Sequence, residues 1–170
     1  CYNYSPTRYS MFAWLKDASV DISNVKLYDS NKKALTDTGK RLNESWSAAY
    51  QANPEEFSRL QDGWFYQEYV EFALRLCNNS AHNFNMDSRS DCVKGLVSGI
   101  CNLFGSGGMQ FFVGGTLYGK HYDGAGLSGT MSDREFVTTL CNYIVDHVAE
   151  LPYVNSQYVS SYQNRYRNEL

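Results

Sequence analysis

The sequence has little of what would assign it to a class at once, and each shortage excludes something. Lys and Arg together number 15 in 170 residues, with Lys32-Lys33 the longest basic run and a net charge of -3. Recognition of a phosphate backbone needs a basic stripe, so a nucleic-acid surface is excluded. No apolar run approaches the length of a bilayer span, and no succession of basic, apolar and small residues marks a secretory leader. The reading is of a chain without a membrane span, soluble as written. The five cysteines, Cys1, Cys77, Cys92, Cys101 and Cys141, are odd in number and lack a CxxC pair. That spacing argues against a disulfide framework and against a structural zinc site, and no metal or cofactor is expected. Convincing apolar/polar alternation is missing throughout, which predicts an all-α chain without strands.

What is present is ordinary globular composition, 43% hydrophobic and 19% charged, at a length that fits one domain over residues 1–170. Tyrosine is the exception, with 14 residues, in a chain that is 15% aromatic. Tyr and Trp offer flat apolar faces with a polar edge, which suits sugar rings and equally suits a Tyr-rich core and surface.

The chain is organised around residues 91–112. Val93, Leu96, Val97, Ile100 and Phe104 recur at steps of three and four, so one face of a helix is continuously apolar and should be buried. Gly95 and Gly99 lie one turn apart on another face. Because glycine weakens a helix, the pair predicts close approach of a second backbone. Gly105-Ser106-Gly107-Gly108 should stop this helix, with a short apolar helix from Met109 to Val113 after it. Cys92, Cys101 and Cys141 fall in helices read as buried and are expected to be core thiols.

Around that centre the spacing predicts a short helix over residues 7–17, a loop over 19–37 and an amphipathic helix over 37–52 carrying Leu42, Trp46 and Ala49. Asn53-Pro54-Glu55-Glu56 reads as a helix start, opening a helix through Phe57, Leu60, Trp64, Phe65, Tyr69, Phe72 and Leu76. Residues 114–130 are glycine-rich and read as a mobile loop at a cleft rim; Asp123-Gly124-Ala125-Gly126 lacks the flanking elements of a phosphate or calcium loop. Ser132-Asp133-Arg134-Glu135 is a capping box that opens a helix through Phe136, Leu140, Tyr143, Ile144 and Val148. Pro152 separates it from a last, Tyr-rich helix in which Arg165 and Glu169 are spaced as a helix ion pair or an anchor.

Several phrases occur in an order that resembles a known family. They are a Trp-bearing helix, Asn53-Pro54 with Phe57, Leu60, Gln61 and Trp64, a helix with Ser98, Asn102 and Gly105, then Ser132-Asp133-Arg134-Glu135, and Arg165 with Glu169. The series resembles the lysozyme-like, chitosanase-related muramidase domains of phage lysins and type VI secretion spike proteins. The resemblance implies an all-α lysozyme-like domain with a groove for the glycan strands of bacterial peptidoglycan. It also implies hydrolysis of their β-1,4 bonds outside the cell or on a virion. In that family a Glu acts as general acid near the end of an early helix and precedes a Tyr-Gln-Phe-Asp-like phrase, which Tyr2-Asn3-Tyr4-Ser5 with Arg8-Tyr9 resembles here. The acid is therefore expected upstream of Cys1, on an N-terminal catalytic segment or a second chain, and Ser5 stands where the family often has an Asp. Asn3, Tyr4, Ser5 and Asn102 are the implied substrate-lining residues, with Arg8 and Ser98 supporting the groove. Tyr118 and Tyr122, beside glycines, are candidate stacking faces.

Glycoside hydrolysis ordinarily takes one carboxylic acid and one carboxylate or positioned water opposite it. Within the chain, Glu68 with Glu71 and Glu55 with Glu56 read as solvated helix faces, and Asp123 in its loop reads as surface charge sooner than as a group reaching a cleft. Asn102 serves either a sugar or the helix end. Cys1 as an N-terminal nucleophile would require layered sheets that the pattern lacks. A cysteine peptidase pairing with His82, His121 or His147 lacks a Cys set at a turn and helix start. A non-catalytic glycan-binding or structural module of a phage particle is the alternative.

Overall fold

The computed structural model describes residues 28, 29, 31, 34–79 and 81–170. Asn3, Tyr4, Ser5, Arg8 and the helix expected over residues 7–17 lie outside the described residues. The chain divides into two compact units, Cys1–Trp64 and Phe65–Leu170.

In the first unit, α1 (Asp37–Ala52) begins where the Thr36 side chain accepts a hydrogen bond from the Gly39 amide. Asn53 then breaks the helix with non-helical φ -156°, ψ 83°, and its side chain caps α2 (Pro54–Phe65) by accepting from the Glu56 amide at 3.1 Å. Proline at the first helical position loses nothing, since that amide has no partner inside a helix. Leu42 and Phe57 are buried, and Trp46 and Tyr50 both meet the Phe57 ring edge-on, at 4.8 and 5.7 Å.

The second unit is built on α4 (Asp91–Val113). Before it come a π-helical turn, Tyr66–Glu71, then α3 (Phe72–Asn78) and a short 3-10 turn at Met86–Ser88. After it come a hairpin, then α5 (Asp133–His147) and α6 (Val159–Asn168). The spacing that marked one face of α4 as apolar is realised: Val93, Val97, Ile100 and Phe104 are buried and Leu96 is partly so. They share one core with Ala73 and Cys77 of α3, with Phe136, Leu140 and Ile144 of α5, and with Tyr166 of α6. Burial of each large apolar side chain contributes on the order of 1.5–3 kcal/mol. Among the described residues α4 alone is long and apolar enough to cross a membrane, which apolar-run length did not register; over half of its most apolar window is buried in this core.

Four expectations change. Glycine stops the helix as expected, since Gly105 takes non-helical φ 69°, ψ -179°, but the helical segment that follows starts directly after it rather than at Met109 and runs to Val113, so α4 is two helices joined at a kink. Among the described residues no backbone approaches Gly95, where a methyl group would meet nothing within 4 Å, and at Gly99 the nearest atom is an Arg165 guanidinium nitrogen at 3.8 Å. Cys92 is exposed in the first turn of α4, whereas Cys77, Cys101 and Cys141 are buried. Burial pushes the thiol of Cys77 up to about 12 and those of Cys101 and Cys141 up to about 11.

The fourth concerns strands. β1 (Gly115–Leu117) and β2 (Lys120–Tyr122) pair antiparallel, with Gly115 opposite Tyr122, Thr116 opposite His121 and Leu117 opposite Lys120. Strands of three residues are too short for alternation to register. Tyr118 and Gly119 both have positive φ, 50° and 76°, the backbone of a tight hairpin turn. The described residues remain mostly helical.

Candidate functional site

A cleft of about 560 Å³ opens in the second unit where the end of α3, the end of α4 and the hairpin meet. That volume lies within the roughly 300–1,000 Å³ typical of small-molecule sites. Asn79 and His82 face it from the turn after α3, Gln110 from α4, Thr116 and Tyr122 from the hairpin, and Asp123 from the loop that follows.

Local backbone chemistry sets each of these groups. Asn79 ends α3, and its side-chain oxygen accepts from the amides of Ala81 and His82 at 2.9 and 3.0 Å, which turns the chain and presents His82. The His82 ring stacks on Phe84 at 5.0 Å. Partial burial lowers its pKa below the ordinary value, against a backbone hydrogen bond at Gly114 that raises it, so the ring is neutral at neutral pH. On the opposite wall the Tyr122 ring lies 4.8 Å from Phe111, with Lys120 Nζ 4.9 Å from its centroid.

The glycine-rich segment after the hairpin is sewn onto the end of α4, which replaces the free loop anticipated from its composition. The Ala125 amide donates to the Phe112 carbonyl at 2.9 Å. A methyl at Gly124 would collide with the backbone of Val113 and Gly114, and Gly124 also has φ +67°, so glycine is required there twice over. Farther along, buried Arg89 ties the segment down. Its guanidinium donates to the carbonyls of Phe84, Ser128 and Met131 and to the Asp133 carboxylate, at 2.8–3.1 Å. Hydrogen bonding from Ser90, whose amide donates to the other Asp133 oxygen at 2.9 Å, and then from the Arg89 guanidinium holds Asp133 down to about 2. The Ser132–Glu135 capping box forms beside it as its residues predict.

The expected site residues scatter. Tyr122 lies in the cleft. Tyr118 is 79% exposed at the hairpin turn, edge-on to Tyr153 at 6.4 Å, and does not line it. Ser98 is buried, its hydroxyl donating to the Lys94 carbonyl one turn back at 2.7 Å. Asn102 is exposed on α4, before the Gly105 kink and away from the cleft. Asn3, Tyr4, Ser5 and Arg8 fall outside the described residues. No cysteine shares the cleft with His82 and His121. Asn79, Gln110 and Thr116 escaped sequence reasoning, because the fold joins positions far apart in the chain. The signal for them was the glycine series itself, whose turns fold the hairpin back over the helix end.

Chemically the cleft offers two amides, a hydroxyl, a phenol, two imidazoles and one carboxylate. His121 Nε2 lies 3.6 Å from the fully exposed Asp123 carboxylate. The arrangement suits hydrogen bonding to a hydroxyl- and amide-rich ligand beside an aromatic wall. Among the described residues no group of three or more His, Cys, Asp or Glu is placed to hold a metal ion.

The first unit has its own recess of about 350 Å³, lined by Trp46, Ser47, Tyr50, Gln51, Phe57 and Gln61. Aromatic faces and neutral polar groups line it, with no charged side chain. No family model, curated protein or solved structure matches this chain.

Proposed function

We propose that this chain binds the glycan strands of bacterial peptidoglycan and serves a lysozyme-type hydrolysis of their β-1,4 bonds, outside the cell or on a virion. The observation that supports the reading best is the cleft lining. Asn79, Gln110, Thr116 and Tyr122 offer donors and acceptors for sugar hydroxyls and acetamido groups, beside the aromatic ring of Tyr122. The uncharged aromatic recess of the first unit has the same chemistry.

Asp123 is the cleft's single carboxylate. Hydrolysis through two carboxyl groups takes another acid, so on this reading the cleft residues hold and orient glycan. The same observation favours a second reading, a glycan-binding module that does not cut.

Sedimentation with purified cell-wall sacculi tests both. The chain should pellet with sacculi, and the double variant Gln110→Ala/Tyr122→Ala should bind roughly thirtyfold more weakly, since two lost contacts at about 1 kcal/mol each remove about 2 kcal/mol. Turbidity clearing with release of new reducing ends identifies the hydrolase, and binding without release identifies the module. A chain that stays in the supernatant sinks both readings.

A further inference from the structure

The tip of the hairpin breaks the rule of its own turn. Pairing of Leu117 with Lys120 leaves Tyr118 and Gly119 as a two-residue loop, and both have positive φ, 50° and 76°. Such a turn favours Asn-Gly or Gly-Gly, because in the left-handed region the Cβ of a larger residue crowds the following carbonyl oxygen. Gly119 obeys and Tyr118 does not. A bulky aromatic residue held at positive φ marks a position that serves something besides the turn.

The Tyr118 ring does little for the fold. Tyr118 is 79% exposed, more than any other large hydrophobic side chain among the described residues, and its one aromatic partner there is Tyr153, at 6.4 Å and 83°. Tyr153 is the fixed member of the pair. Its hydroxyl donates to the Phe104 carbonyl at the kink of α4, while the residue remains 44% exposed. Burial, then the neighbouring Tyr118 phenol, pushes that hydroxyl up to about 12, and no acidic or basic side chain is among the influences on it.

Chemistry and area together select the ligand. Each Tyr offers a flat apolar face with a polar edge, and two such side chains supply about 150–250 Å² each, short of the roughly 800 Å² that a partner protein would bury on this side. A single uncharged ring, with C–H groups on its faces and hydroxyls around its rim, matches that surface. A pyranose has this form.

On the glycan reading proposed above, we infer that Tyr118, braced by Tyr153, is a second sugar subsite that stacks one pyranose ring of the peptidoglycan glycan outside the cleft. The tip stands roughly 10 Å along β2 from Tyr122, at about 3.4 Å per residue, so the sugar on Tyr118 is not the one held in the cleft. Tyrosine is kept at this position for the ligand, at the expense of the turn.

Two variants of the full chain, sedimented with purified sacculi and melted in parallel, test this. Tyr118→Asn installs the residue that the turn prefers and removes the ring. It should raise the melting temperature, by roughly 2–4 °C at this chain length, and weaken sacculus binding by roughly fivefold or more. Tyr118→Phe keeps the ring face and should bind as the parent chain does. If the parent chain pellets and Tyr118→Asn pellets equally well, the subsite is overturned while the glycan reading stands; a parent chain that stays in the supernatant sinks both. A lower melting temperature for Tyr118→Asn would show that the ring serves the fold, and binding by Tyr118→Phe as weak as that of Tyr118→Asn would replace stacking with a hydroxyl contact; either result overturns the inference.

Discussion

The two halves of α4, on either side of the Gly105 kink, use the same residue in opposite ways. Before the kink, Gly95 has no neighbour within 4 Å of an added methyl among the described residues, and Gly99 has an arginine head at 3.8 Å. Beyond it, Gly107 and Gly108 are crowded. A methyl at Gly107 would come within 2.7 Å of the Leu117 side chain, and one at Gly108 would collide with the Phe104 Cβ and come within 3.0 Å of the Tyr153 hydroxyl. That hydroxyl donates to the Phe104 carbonyl at 2.7 Å and so satisfies an acceptor exposed by the kink. Glycine in one half permits close packing, and in the other it leaves room. A GxxxG-like spacing alone does not say which.

The comparison is tested most severely where the open half is anchored. Arg89, one residue before the cap of α4, does by hydrogen bonding what packing does at the far end. Arg89→Ala leaves three carbonyls and the Asp133 carboxylate without their donor. It should cost about 3–5 kcal/mol, read from urea unfolding. A loss below about 1 kcal/mol would mean that water replaces the guanidinium easily and that the anchor is dispensable.

Gly108→Ala comes next. The added methyl meets Phe104 close to its backbone, where a rotamer change gives no relief, so overpacking should cost about 1–3 kcal/mol by the same measurement. An unchanged midpoint would show that the half beyond the kink is as loose as the half before it.

Acid should separate the two ends. At the start of α4, Asp133 is held down to about 2 from an ordinary 3.8, chiefly by its hydrogen bonds to Ser90 and Arg89. A depressed carboxylate contributes stability that is present above its unfolded pKa and lost as pH falls through the folded one. That contribution should therefore begin to fall only near pH 4 and be lost by about 2. Beyond the other end, His82 is depressed from 6.5 by burial, so the unfolded chain binds the proton more readily than the folded one. Its contribution is complete above pH 6.5 and falls as acidification proceeds below that value. Amide exchange should accordingly rise first around Gly114 and the hairpin, while the Ser90–Asp133 contact persists. Simultaneous loosening of both ends would contradict the assignment.

Helices were legible because their signals are local. The Asn53 cap, the Ser132–Glu135 box and the apolar face of α4 each depend on neighbours within a turn or two, and all three form. The candidate site was far less legible. His82, Gln110, Thr116 and Asp123 become neighbours only when the hairpin folds back on α4, through the backbone bond from Ala125 to Phe112 and the missing side chain at Gly124. Asp133 was read as part of a capping box, yet its carboxylate serves Arg89 and Ser90, an interaction across more than forty residues that no local pattern encodes. Ser98 and Asn102 were chosen by resemblance, and α4 turns the first of them into the core.

The smallest effect bears most directly on the open half. Gly95→Ala replaces the poorest non-proline helix former with the best one at an exposed position, and its methyl has no neighbour within 4 Å. The variant should gain up to about 1 kcal/mol from helix propensity and reduced freedom of the unfolded chain. At this chain length that corresponds to a rise of roughly 2–4 °C in melting temperature. Gly99→Ala should gain less, because its methyl touches the Arg165 guanidinium that now rests over the glycine. If Gly95→Ala were instead destabilising, some other surface must close on that turn in solution, and the two halves of the helix would then use glycine for the same purpose.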